Sequence, residues 1–336
     1  MWILELFLVA TVAATAPMVT PAPPLEPLEE DSVDVFIDEM AAKHGFDRGE
    51  LERVFGQIRS SARIVELMDR QAKRKPWQDY RALFVNPEKI KHGFRFWRNN
   101  ADKLTEAREK YGVPEEVIIA VIGVETHYGR NTGRFKVLEA LTTLAFDYPK
   151  RSKMFRLELE HYLLLAREET MALATPRGSY AGAMGIAQFM PGSYRRYAVD
   201  FDGDGKRDLF ENASDAIGSV ANYLTAHGWQ RGEPVAIPAT VKSSAASSFK
   251  ASKLSTRVRL DELRDRGVTV SGSFPAEKEA IPLALHNREG VEYWLGFDNF
   301  YVITRYNNSV YYAMAVYQLS RELRKQHDAR AAGGDR

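Results

Sequence analysis

Two stretches of the sequence hold residue types whose order could do chemistry. In 117-VIIAVIGVETHYG-129, an uncharged and almost wholly apolar run ends in a single carboxylate, Glu125. A helix with no polar face must be covered on nearly all sides. Glu125 would then sit in a dehydrated seat near the negative end of the helix macrodipole. Both effects disfavour the ionised form and raise the pKa above that of a free glutamate. A carboxylic acid that stays protonated near neutrality is what a general acid must be. The plainer alternative is a structural glutamate paired with Arg130 or Arg134. His127 and Tyr128, beside it, read as packing residues. None of the seven histidines has H-x-x-x-H metal spacing, and neither a G-x-S-x-G elbow nor a phosphate-binding loop is present.

The second stretch, 200-DFDGDGKRDLFE-211, has the twelve-residue spacing of an EF-hand calcium loop. Asp200, Asp202, Asp204 and Asp208 would supply side-chain oxygens, Gly205 the sharp turn and Lys206 a backbone carbonyl, which its side chain does not affect. Glu211 is the expected closing carboxylate, with Asp215 as the alternative. Arg207 occupies a slot usually filled by an aliphatic side chain. A single loop points to structural Ca2+ rather than sensing, and no organic cofactor is expected. The other reading is an acidic solvated turn.

The elements that must position these residues are mostly helical. Apolar residues recur at helical spacing in 33-VDVFIDEMAAKHG-45, with Asp31 and Ser32 as candidate N-caps and Gly45 as the stop. Similar patterns run through 46–58, 61–71, 100–112, 114–129, 136–146 and 152–169. Pro114 suits the first turn of its helix, Glu115 and Glu116 complement its positive end, and Gly129 is placed to end it. Short β-type runs occupy 234–241, 256–260, 267–274 and 280–285, with 242-KSSAASSFKASK-253 as a surface loop between them. Helix returns in 309-SVYYAMAVYQLSRELRKQ-326. The expected organisation is an export segment at 1–16, a Pro-rich linker at 17–32 and an N-terminal helical domain at 33–100. A catalytic core at 101–231, a β-rich domain at 232–300, a C-terminal helix at 301–326 and a disordered tail at 327–336 complete it.

Composition narrows the function classes. The chain has 336 residues, 45% of them hydrophobic, which suits two or three packed subdomains. With 46 basic and 45 acidic side chains the net charge is +1, so nucleic acid is not an expected partner. The sequence contains no cysteine. Disulfides, thiolate chemistry and cysteine metal sites are therefore excluded, and the usual attachment point for lipid is missing. The run Leu6–Ala16 has the length of a signal-peptide core, with small residues suited to cleavage, and points to export; a misassigned start or an uncleaved anchor is the alternative.

Four motifs in order then carry a resemblance: ETHYG at 125–129, 178-GSYAGAMGIAQFMPGSY-194, 215-DAIGSVANYLTAHGW-229 and 304-TRYNNSVYYAMAV-316. They resemble the membrane-bound lytic transglycosylase B family over roughly residues 33 to 323. The resemblance implies a mainly α (α+β) protein: a lysozyme-like helical core with an additional helical domain and a small β-rich insertion. It implies cleavage of the β-1,4 bond between N-acetylmuramic acid and N-acetylglucosamine in peptidoglycan, leaving 1,6-anhydromuramoyl ends. Glu125 would be the single catalytic acid/base, the sugar's own N-acetyl group stabilising the anomeric centre in place of a second carboxylate. Ser179 and Gln188 match residues that hold the N-acetyl group and sugar hydroxyls. Tyr80, Tyr223, Tyr306, Asn307 and Tyr312 match groove residues. Lys150 and Arg151 could pair with carboxylates of the substrate; the family tends to have arginine at the first of these, and lysine keeps the charge but loses the fork geometry. The implied partners are glycan strands and other cell-wall enzymes, with the chain a monomer. A catalytically silent peptidoglycan-binding scaffold and a hydrolytic lysozyme remain the alternatives.

Overall fold

The structure, a computed structural model, describes residues 30–70, 75–250 and 254–332. The export segment expected at 1–16 lies outside the described residues. The first helices are α1 (Glu30–His44), α2 (Arg48–Phe55) and α3 (Ala62–Asp69). After them come α4 (Trp77–Phe84), α5 (Pro87–Asn99), α6 (Ala101–Tyr111) and α7 (Glu115–Thr126). The middle of the chain forms β1 (Phe135–Lys136), α8 (Val137–Phe146), a 3-10 turn at Pro149–Arg151, α9 (Ser152–Glu168), β2 (Arg177–Gly178) and α10 (Pro191–Tyr197). The remainder runs through α11 (Ala213–Ala226), β3 (Ala236–Val241), α12 (Ala246–Lys250), β4 (Val258–Arg259), α13 (Leu260–Asp265), β5 (Val268–Val270), β6 (Glu279–Asn287) and β7 (Gly290–Gly296). It ends with α14 (Asp298–Tyr306) and α15 (Val310–Ala332). The protein is predominantly helical with a small sheet insertion, as the sequence suggested.

These elements fall into two compact units. One comprises residues 75–128 and 213–332, the other 30–70 and 129–212. In the first, α15 packs on α7, α5 and α4, while α11 packs on α6 and α7. Every residue of α7 from Val117 to Thr126 is buried. Its apolar run is therefore a central core helix, as an all-round hydrophobic surface requires. The same unit carries an antiparallel sheet ordered β4-β6-β7-β3-β5. Its core includes Phe249, Leu260, Leu263, Val268, Leu295 and Phe297. In the second unit α8 packs on α9 and α3, and α10 on α9.

Several local expectations are corrected. Helix α1 begins at Glu30, so Asp31 and Ser32 lie inside it rather than capping it, and the linker ends earlier. The expected surface loop at 242–253 instead contains a short 3-10 turn and α12, which bury Ala245 and Phe249 in the sheet's core. Residues 251–253 lie outside the described part. Strand β7 was not anticipated, and the single C-terminal helix expected at 301–326 is two helices, α14 and α15, parted at 307–309. The expected disordered tail is helical through Ala332: Trp97 stacks on His327 at 4.4 Å, and the Arg330 guanidinium lies 4.3 Å from the Phe94 ring centroid.

Candidate active site

The last turn of α7 presents Glu125, which is only 4% exposed. The Tyr312 hydroxyl, from α15, donates to Glu125 Oε1 at 2.6 Å. Burial pushes the Glu125 carboxyl up to about 8, the Tyr312 hydrogen bond and the charge of Lys89 holding it down from a still higher value. Lys89, on α5, donates through Nζ to the Gly123 carbonyl at 2.7 Å, and burial lowers its ammonium to about 8 against the raising pull of Glu125 and Glu88. Burial thus favours the neutral form of each group, and their mutual attraction opposes it. Within its own unit Glu125 is bonded to Tyr312 and feels the charge of Lys89.

The end of α7 is not the glycine stop expected. His127, Tyr128 and Gly129 all have positive φ, at 53°, 62° and 81°. For the two non-glycine residues this costs about 1–2 kcal/mol each. Tyr128 is anchored in return: its hydroxyl donates to the Lys89 carbonyl at 2.9 Å. Its ring fills space left by two glycines, since a Cβ on Gly123 would lie 2.6 Å from the ring and one on Gly93 2.4 Å from the hydroxyl. The turn after Glu125 is thereby locked to α5. The N-terminal acid Glu115 does more than complement the dipole: it is buried, accepting from Trp97 Nε1 at 2.9 Å and pairing with Arg108 at 3.1 Å.

Around Glu125, the same unit places other expected groove residues. Tyr306 is buried, with its phenol raised far above its ordinary range by burial and by the proximity of Glu125. Tyr223 tilts against Tyr306 at 4.7 Å, stacks on His227 at 4.1 Å and donates to the Arg305 carbonyl at 2.6 Å. Asn307 is buried just beyond α14. Tyr80 belongs to an aromatic cluster with Trp77, Phe84 and Tyr311.

Ser179, Gln188, Lys150 and Arg151 belong to the other unit. Ser179 Oγ accepts from the Ala181 and Ala183 amides at 3.3 and 3.0 Å, which shapes the glycine-rich loop. The loop needs its glycines: a Cβ on Gly182 would meet Leu141 at 2.4 Å, and one on Gly185 the Leu209 carbonyl at 2.2 Å. Gln188 has φ of 50°, and its Nε2 donates to the Thr132 and Gly185 carbonyls at 2.9 Å each. Its Oε1 is buried with no hydrogen-bond partner among the described residues. Lys150 pairs with Asp69 at 2.5 Å, and Arg151 lies against Met154 and Phe155.

In the acidic loop, carboxylate oxygens of Asp200, Asp202 and Asp204 lie within 4.8 Å of one another. Asp200 accepts from the Gly203 and Gly205 amides at 2.7 and 2.8 Å, both glycines having positive φ. Asp208 instead accepts from the Phe210 and Glu211 amides, and Glu211 is exposed. Asp215 is fully buried in the first turn of α11, in the unit that also carries Glu125. Lys206 is exposed, its amide donating to Asp204 at 2.9 Å. Arg207, odd in its slot by sequence, has a reason here: it pairs with Glu169 and Glu168. The three-aspartate cluster has the hard oxygen donors that calcium prefers.

Lys89, the anchoring role of Tyr128 and the pairing of His92 with His127 were missed. Their sequence signals are ordinary: a lysine on an amphipathic helix, and histidines far apart in the chain.

Known proteins resemble this chain in sequence and in fold. The profile of the transglycosylase SLT domain family matches residues 29–321. Membrane-bound lytic murein transglycosylase B of Escherichia coli strain K12 is 44% identical over 295 residues, covering 84% of this chain and 80% of that protein. The solved soluble lytic transglycosylase SltB1 of Pseudomonas aeruginosa is similar at a TM-score of 0.83 and 44% identity, over 90% of this chain and 100% of that one. The Escherichia coli lytic transglycosylase SLT35, solved in complex with calcium, gives 0.82 and 43%, over 88% and 93%.

Proposed function

This chain belongs to the transglycosylase SLT domain family, and we propose that Glu125 is the acid/base with which it works. It is a lytic transglycosylase acting on the glycan strands of peptidoglycan, where it cuts the β-1,4 bond between N-acetylmuramic acid and N-acetylglucosamine and leaves 1,6-anhydromuramoyl ends. An enzyme on this substrate works outside the cytoplasmic membrane, in the periplasm. Glu125 gives its proton to the glycosidic oxygen as the bond to the anomeric carbon breaks. The resulting carboxylate takes the proton of the muramic C6 hydroxyl as that oxygen bonds to the anomeric carbon. The proton returns to Glu125 and no water is consumed. The intramolecular hydroxyl has the entropic advantage over a free nucleophile when held close.

The observation that carries this assignment is the buried carboxyl at the end of α7, hydrogen-bonded to Tyr312, whose burial pushes its pKa up to about 8. Glu115, the other buried acid of α7, is occupied by Trp97 and Arg108 and is no second catalytic carboxylate. In this reading Gln188 Oε1 accepts a hydrogen bond from the sugar's amide or hydroxyl, which relieves a buried acceptor that otherwise costs about 1–3 kcal/mol. Ser179 orders the loop that meets the N-acetyl group. Tyr80, Tyr223, Tyr306 and Asn307 form sugar-binding surface, and Tyr312 orients Glu125. Lys150 and Arg151 bind substrate carboxylates, Lys150 exchanging Asp69 for them. Asp200, Asp202 and Asp204 hold Ca2+ with the Lys206 carbonyl, Asp208 and a closing carboxylate from Glu211 or Asp215. The chain acts as a monomer, with other cell-wall enzymes as its further partners.

Mass spectrometry of digested sacculi tests the catalytic assignment. Anhydro-muropeptides are expected from the native chain and essentially none from Glu125→Gln. Equal release by that variant would remove Glu125 from the mechanism.

A further inference from the structure

Outside the catalytic carboxyl, a second group of side chains converges on the turn that follows it. His92 Nδ1 lies 2.6 Å from His127 Nε2, and the two rings are 4.8 Å apart. Glu88, one helical turn before His92 on α5, brings Oε1 to 3.9 Å from the same Nδ1. One ligand atom from each of the three residues fits within a 4.8 Å span. We propose that Glu88, His92 and His127 form a binding site for a divalent transition-metal ion of the zinc, nickel or copper class.

The donor set argues for that class. Two imidazole nitrogens with one carboxylate oxygen suit borderline ions, whereas calcium and magnesium prefer oxygen alone. At 2.6 Å the two ring nitrogens must share one proton, so their lone pairs already point at a common place. An ion takes the place of that proton when the rings turn apart by somewhat under 1 Å, because donors about 2.0–2.1 Å from a tetrahedral ion stand about 3.4 Å from one another. Glu88 and His92 share one face of α5 through their spacing of four residues. His127 comes from the left-handed turn two residues after Glu125. All three are partly or fully exposed, which leaves a path for the ion and a coordination position for water. A bound ion would tie α5 to the end of α7, in addition to the Tyr128 anchor. Glu125 is not among the ligands, so the site is separate from the proton-donating group.

Cobalt(II) titration of the full chain, in excess calcium, tests the site. The native protein should bind one cobalt with intense visible bands of low-coordinate geometry, and zinc should displace it while calcium does not. His92→Gln and His127→Asn should each weaken cobalt binding by at least about tenfold. Asparagine is chosen at 127 because it tolerates the left-handed conformation. Asp200→Asn, in the acidic loop, should leave the cobalt spectrum unchanged. Should His127→Asn fail to fold by circular dichroism, His92→Gln decides alone. Absence of binding at millimolar cobalt, or binding that survives the histidine changes and is lost in Asp200→Asn, would overturn the proposal.

Discussion

The behaviour of Glu125 comes from burial and two neighbours of different kinds. Burial raises its pKa, while the Tyr312 hydroxyl and the Lys89 ammonium both favour the carboxylate. A general acid is active while protonated, so kcat/KM on glycan should fall as pH rises through about 8. Removing the charge in Lys89→Met removes a stabiliser of the ionised form. The carboxyl pKa then rises, and the alkaline limb of the pH–rate profile should move to higher pH. A limb that stays in place or moves down would show that Lys89 does not act on Glu125. Tyr312→Phe removes a hydrogen bond to the proposed acid, and about a tenfold or greater loss of kcat is expected in steady-state assays. Unchanged turnover would leave Tyr312 without a role in orienting the acid. The burial of Glu125 was legible in the sequence because a single acid after a long apolar run is conspicuous. Lys89 was not, because its importance depends on burial across a helix pair, which one helix's spacing does not reveal.

At the scale of elements, α7 ends through a fitted joint rather than a flexible stop. Tyr128 occupies room that Gly93 and Gly123 provide, and it holds two left-handed residues in place. Gly123→Ala sets a methyl 2.6 Å from the ring, so overpacking should cost about 1–3 kcal/mol in denaturant unfolding. Native-like stability of that variant would mean the joint is slack. The long helices α1, α7, α8 and α9 were readable because apolar periodicity or continuous apolar sequence marks a buried helix. Strand β7, GVEYWLG, was not, because charge and aromatic residues interrupt its alternation and its pairing with β6 and β3 supplies the order. The helical end of α15 escaped notice because its contacts, Trp97 to His327 and Phe94 to Arg330, join residues distant in sequence.

For the whole molecule, a net charge of +1 offers no strong field for a polyanion. Among the described residues no helix is long and apolar enough to cross a membrane. Stability should draw on the acidic loop. An ion at about 100 times its Kd contributes about 2.7 kcal/mol, so chelation should lower Tm by roughly 5 °C. Asp200→Asn should have the lower Tm already and show no further change with EDTA. A chelator-insensitive native protein would exclude calcium from the loop's structural role. The loop's spacing was plain in the sequence, but its closing ligand was not, since Glu211 and Asp215 fall in different units.

The protonation state of one side chain carries the mechanism, and carbon-13 carboxyl NMR reads it without reference to turnover. Comparison of the native chain with Glu125→Gln identifies the resonance that the substitution removes. That resonance should titrate near pH 8. Titration near 4.5, the value of an ordinary glutamate, would contradict a buried neutral proton donor at the end of α7.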